Sequence, residues 1–146
     1  LGLVGSEMCI RDRGEVQLKP GTGGCKVLAG TLTDPYSGHV LAFTSTDPQA
    51  VQIDHVVSLS DAWSSGAWQW SPDRREQFAN SAQNLLAVDG PTNQAKGDKN
   101  AAQWLPETAA GRCLMVKTQI QVKTDWQLTV TDRERAAMRK VLAGCS

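Results

Sequence analysis

Two short stretches concentrate the residues able to do chemistry. In the first, Ile53-Asp54-His55-Val56-Val57, an acid stands beside a histidine in an otherwise apolar, β-branched run. Burying a carboxylate and an imidazole costs several kcal/mol unless each finds a partner, so the pair needs an explanation. Neighbouring side chains on a regular strand point to opposite faces. Asp54 and His55 can therefore serve one site only if the strand ends or bulges there. For an isolated pair, a surface salt bridge plus a satisfied core histidine is the plainer account. The second stretch carries Asn84 ahead of Leu85-Leu86-Ala87-Val88, then Asn93 and Lys96. Singly, each asparagine is an ordinary turn or cap residue. Asn93 and Lys96 are three apart, so on a helix they share a face. Together, an acid, a histidine, an amide oxygen and a lysine suit metal-assisted phosphodiester cleavage. A hard divalent cation takes oxygen ligands, histidine serves as base for water, and lysine offers charge to a phosphate.

The elements that must position these residues follow from pattern and turn chemistry. Cys25 to Thr33 alternates as a strand, and Asp34-Pro35-Tyr36-Ser37-Gly38 is a strong turn. His39 to Thr44 returns as its hairpin partner, with His39 itself on the surface. Val51 to Val57 is the strand that carries Asp54 and His55. Helix is expected over Ser60 to Ala67 and over Pro72 to Ala79, the proline suiting a first helical turn. Asn84 to Val88 is a short strand, Asp89-Gly90-Pro91 turns the chain, and Asn93 to Trp104 is a short helix. Helices over Thr108 to Thr124 and Thr131 to Ala143 close the domain, and Thr131 with Glu134 forms a capping box. The class is α+β, a small antiparallel sheet with several packed helices. Trp63, Trp68 and Trp70 lie in the stretch between His55 and Asn84; they are expected to fill core, with stacking on bases as the sharper alternative.

Composition bounds the rest. The 146 residues carry 15 Lys+Arg against 15 Asp+Glu and 40% hydrophobic residues. That is one domain with enough apolar content for a core. No apolar run is long enough for a transmembrane helix. Zero net charge argues against coating nucleic acid by bulk electrostatics, though not against a locally basic cleft. From Leu105 onward seven Lys and Arg face four acids, a surplus that suits a phosphate backbone or a solvated helix face equally. Residues 1–13, LGLVGSEMCIRDR, differ from the remainder and resemble translated sequencing-adapter sequence, the alternative being a disordered leader. Residues 14–24 are Gly- and Pro-containing and read as a linker, leaving 25–146 as the domain. With Cys9 set aside, Cys25, Cys113 and Cys145 are not spaced for zinc. They suit an oxidising compartment, where a bridge at Cys145 would tie down the C-terminal end, the alternative being three buried, reduced core residues.

DHVVSLSDAW followed by NLLAVDGPTNQAKGD resembles the ββα-metal motif of HNH endonucleases: histidine on the first strand, asparagine after the connecting loop, a final asparagine on the helix. The order is similar to that in the HNH domain of CRISPR effectors. LAGTLTDPYSG, VQIDHVVSLSDAW, FANSAQNLLAVDGPTNQAKGD, WLP and the two late cysteines resemble a family of secreted bacterial HNH-type proteins, a likeness running from about Cys25 to Cys145. The resemblance implies a ββα-metal core and an extracellular, monomeric endonuclease cutting DNA with little sequence preference. It assigns His55 as general base and Asn84 as the residue that pins the loop orienting it. Asp54 and Asn93 are then ligands of one divalent cation, Mg²⁺ or Mn²⁺, and Lys96 is a phosphate contact or a structural ion pair. The chain departs from the family pattern before the first hairpin, where members carry a further cysteine and an arginine-containing stretch. That departure and the zero net charge favour the alternative, a non-catalytic extracellular binding or scaffold domain that keeps the HNH frame.

Overall fold

A computed structural model describes residues 16–18, 27–44, 46–47 and 49–146. The adapter-like stretch 1–13, Cys9 and Cys25 lie outside the described residues. So does most of the expected linker 14–24. Its centre, however, is a strand: β1 (Val16–Leu18) pairs antiparallel with β2 (Val27–Thr33). β2 continues through the Asp34–Gly38 turn into β3 (Val40–Thr44), with Leu32 opposite Leu41. The hairpin expected from Pro35 and Gly38 is present, widened to three strands.

A second, separate sheet holds β4 (Val51–His55) antiparallel to β5 (Leu85–Asp89), with His55 opposite Leu85. One small sheet was expected; the described residues form two. Between β4 and β5 run α1 (Leu59–Ser64), a single 3₁₀ turn at Ala67–Gln69, α2 (Pro72–Ala79) and a second 3₁₀ turn at Ala82–Asn84. Ser58 caps α1 by accepting from the Asp61 N–H, and Ser71 caps α2 with Pro72 in its first turn.

α3 corrects a boundary. It spans Gly90–Lys96, not Asn93 to Trp104. Asp89-Gly90-Pro91 does not merely turn the chain. The Asp89 carboxylate accepts from the backbone and hydroxyl of Thr92, and Pro91 starts the first turn. Gly97, at φ 54°, then ends the helix in a backbone conformation that side chains disfavour. α4 (Ala109–Asp125) and α5 (Asp132–Ala143) follow, capped by Thr108 and by the Thr131–Glu134 capping box. No helix of the described residues is long and apolar enough to cross a membrane.

Two apolar clusters fill the interior. One gathers Tyr36, Val56, Val88, Ala101, Met115, Val116 and Met138; the other gathers Val57, Ala62, Ala67, Phe78, Val122 and Leu128. Consecutive residues after His55 thus insert into different clusters, Val56 into the first and Val57 into the second, so the backbone leaving β4 is pinned from both sides. Trp70 packs with Phe78 and Trp126, and Trp104 with Tyr36, as core fillers should. Trp63 and Trp68 do not: they are 52% and 57% exposed. Their neighbours Ala62 and Ala67 take the buried positions, and a step of one residue along a helix swings the next side chain away from the core. A disulfide joins Cys113 on α4 to Cys145 just past α5.

Candidate active site

β4 ends at His55, which frees the residues at its tip from sheet geometry. Asp54 and His55 still part to opposite faces. The half-buried His55 reaches α2, where its Nε2 lies 2.9 Å from the carbonyl oxygen of Ala79. Ala79 is the last residue of α2, and carbonyls of a final helical turn lack intrahelical donors. A carbonyl only accepts, so Nε2 carries the proton and Nδ1 presents its lone pair. One backbone contact thus selects the tautomer.

Asn84 secures the next segment. It is fully buried; its Oδ1 accepts from the Val57 N–H at 2.7 Å and its Nδ2 donates to the Val57 carbonyl at 2.9 Å. Its own carbonyl accepts from the Val56 N–H. A side-chain amide donates and accepts at once from two separate atoms, as this clamp requires. Asn84 ends the second 3₁₀ turn, immediately before β5, and closes the connection onto the two residues after His55.

Asp54 is buried at 4% exposure, and each carboxylate oxygen has a donor. Lys96 Nζ approaches Oδ1 at 3.1 Å and the Tyr36 hydroxyl donates to Oδ2 at 2.6 Å. Burial pushes the Asp54 carboxyl above its usual range, against the pull of the Lys96 ammonium and the Tyr36 hydrogen bond. Burial, with the adjacent Asp54 charge, also raises the Tyr36 phenol well above its usual value and keeps it a donor. Lys96 is fully buried, and its Nζ also donates to the His55 carbonyl at 3.1 Å. It is therefore no solvent-facing phosphate contact; of the two roles expected of it, a phosphate contact and a structural ion pair, the structure shows the ion pair. Its charge is spent on Asp54 because an unpaired buried ammonium would be far costlier.

Asn93, the other expected cation ligand, is half-buried on α3 and donates through Nδ2 to Gln52 Oε1 at 2.9 Å. Asp54 and Asn93 thus have different partners. For a hard cation this donor set does not fit as arranged: the carboxylate is enclosed and doubly engaged, and an ammonium stands at one of its oxygens. Among the described residues no three His, Cys, Asp or Glu side chains gather as a metal site would need. The structure thus draws Asp54, Lys96 and the His55 backbone together, clamps the following residues with Asn84, and leaves Asn93 outside this set.

Tyr36 is the residue that sequence reasoning missed. It is the single tyrosine of the chain, set in a polar turn. A turn tyrosine carrying a buried donor is the signal that was available. The turn is built to deliver it. Asp34 accepts from Ser37 and from the Asp89 N–H, tying the hairpin to β5. Thr108 donates to the Tyr36 carbonyl, and a Cβ at Gly111 would run into that same oxygen, so α4 can close on the turn only with glycine there.

Comparison with known proteins adds two findings. Residues 6–141 match the family described as GmrSD restriction endonucleases, C-terminal domain. An "Uncharacterized secreted protein" of Arthroderma benhamiae is 39% identical over 137 residues, which cover 92% of this chain and 64% of that protein's length.

Proposed function

The chain belongs to the family of GmrSD restriction endonuclease C-terminal domains, and from that premise we propose that it is an endonuclease of the HNH type, hydrolysing phosphodiester bonds of DNA with His55 as general base. The observation that carries this reading is the hydrogen bond from His55 Nε2 to the Ala79 carbonyl. It leaves Nδ1 able to take a proton from water, whose oxygen then attacks phosphorus as the bond to the leaving oxygen breaks. A second support is the order of parts: β4 ending at His55, β5 paired to it, and α3 following directly. Asn84 positions the base by holding Val56 and Val57. Lys96 and Tyr36 hold Asp54, and Lys96 also fixes the His55 carbonyl. No step is routed through a metal ion, because the side chains expected to hold Mg²⁺ or Mn²⁺ do not fit one as arranged. Action outside the cell is part of the proposal. The Cys113–Cys145 disulfide and the secreted Arthroderma benhamiae relative support it.

One observation favours a second reading, a nucleic-acid-binding domain that keeps this frame without catalysis: both oxygens of Asp54 are engaged by protein donors. Plasmid and single-stranded DNA cleavage, with Mg²⁺, with Mn²⁺ and with chelator, separates the two. Cutting by the wild type that His55→Ala abolishes supports the nuclease. Absence of cutting by folded protein under all three conditions overturns it in favour of the second reading. Cutting that persists undiminished in His55→Ala displaces the base from that residue.

A further inference from the structure

Two indoles that should be inside are outside. Trp63 and Trp68 each leave about half their surface in water, although large aromatic side chains are usually the first to be buried. They border the segment that holds the candidate base. Trp63 is near the end of α1, eight residues after His55, and Trp68 sits in the 3₁₀ turn before α2.

Arginine is added to the aromatics here. The Arg75 guanidinium lies 5.3 Å from the centre of the Trp63 ring, and its Nη1 is fixed by the Trp70 carbonyl at 2.6 Å. Arg74 lies over both Trp70 and Trp126, at 4.7 and 4.9 Å from the ring centres. Both arginines are only partly buried. Arg75 also stands four residues before Ala79 on α2. It is thus one turn, about 6 Å, from the carbonyl that anchors His55, on the same side of the helix.

From this we infer that Trp63, Trp68 and Arg75 form a stacking platform for unpaired bases, which makes single-stranded nucleic acid the ligand of this face. An exposed indole suits a base face, and at Trp63 the Arg75 guanidinium behind the ring suits the neighbouring phosphate. Duplex bases are already stacked on one another and gain nothing from the indoles. Acidic Asp73 and Glu76 flank the arginines in sequence, so bulk charge is not the source of affinity. The inference rests on the nucleic-acid reading of the family but not on catalysis.

The test is binding, read on His55→Ala protein so that turnover cannot confuse it. Fluorescence anisotropy compares a twelve-nucleotide oligo(dT), an abasic strand of equal length and charge, and a duplex of the same length. Oligo(dT) should bind about tenfold more tightly than either comparison strand. Trp63→Ala with Trp68→Ala should lose about tenfold or more on oligo(dT), with little change on the abasic strand. Half-exposed indoles can be replaced without emptying the core, and an unchanged melting temperature confirms that. Trp63→Phe, which keeps a ring, should recover part of the affinity. Equal binding of the abasic strand, tighter binding of duplex, or indifference to both substitutions overturns the proposal. So does a dimer in sedimentation that the double variant abolishes, which would make the face a contact between copies of the chain.

Discussion

Among the described residues two lysines are buried, and their surroundings differ. Lys96 faces one carboxylate, Asp54, with a phenol and a backbone carbonyl completing its shell. Lys123 lies between two, with Asp61 Oδ1 and Glu134 Oε2 each at 3.0 Å and the Thr129 carbonyl at 2.8 Å. The first cluster is charge-balanced and joins the hairpin turn, β4 and α3 beside the candidate base. The second carries a net negative charge and ties α1 and α4 to the first turn of α5. Balanced charge beside His55 holds backbone in place without adding a field. The unbalanced cluster is a structural rivet in which the lysine bridges two acids that would otherwise repel each other.

The largest effect should come from breaking that rivet. Lys123→Met leaves Asp61 and Glu134 buried and facing each other. The loss should exceed the roughly 3–5 kcal/mol typical of one broken buried pair. Burial, opposed by Lys123 and assisted by Glu134, already raises the Asp61 carboxyl above its usual value. A carboxylate with a raised folded-state value binds protons more readily folded than unfolded, so its stabilising contribution is present at low pH and lost as pH rises through that value. Melting curves of Lys123→Met should therefore improve on acidification from pH 7 to pH 5. A variant that melts no lower than Lys96→Met at pH 7 would dissolve the contrast.

Lys96→Met comes next, at about 3–5 kcal/mol, because a single carboxylate is stranded. Adding Asp54→Asn should return much of the urea midpoint, since the remaining group is then neutral. If the His55 reading holds, DNA cleavage per folded molecule falls in Lys96→Met through the released His55 carbonyl, whereas Glu134→Gln leaves it intact. Tyr36→Phe is milder, about 1–3 kcal/mol, as Asp54 keeps its ion pair and loses one donor. Chemical denaturation measures it. The smallest change in energy is Glu134→Gln. Glutamine can keep the capping box while removing the charge that lifts Asp61. Carboxyl NMR should then show Asp61 titrating at lower pH than in the wild type, and an upward move would contradict the assignment.

Much of the scaffold was legible because local chemistry dictated it. Pro72 started α2, Thr131 and Glu134 boxed α5, and Asp34 to Gly38 folded the hairpin. What escaped depended on partners distant in sequence. Val16–Leu18 sits among glycines and a proline and becomes a strand only because β2 offers an edge. Asp89-Gly90-Pro91 carries turn and helix-start signals at once, and packing decided between them. Within the candidate site, Asp54 and His55 are adjacent at the end of β4, and Asn84 grips the residues that follow. For Lys96 the sequence left a phosphate contact and a structural ion pair both open, and lysines are almost never fully buried unless paired. Its enclosure with Asp54 required knowing that Tyr36 arrives from the hairpin turn. Trp63 and Trp68 misled in the opposite direction, since size alone argued for the core.

The Cys113–Cys145 bridge also has a mechanical meaning. A pull applied on the C-terminal side of Cys145 is carried across the sulfurs into α4 and bypasses α5 altogether. The 32-residue separation closes a loop that cannot be drawn out end to end. Any machine that threads this chain from its C-terminal side must therefore accept a doubled strand or first reduce the bond.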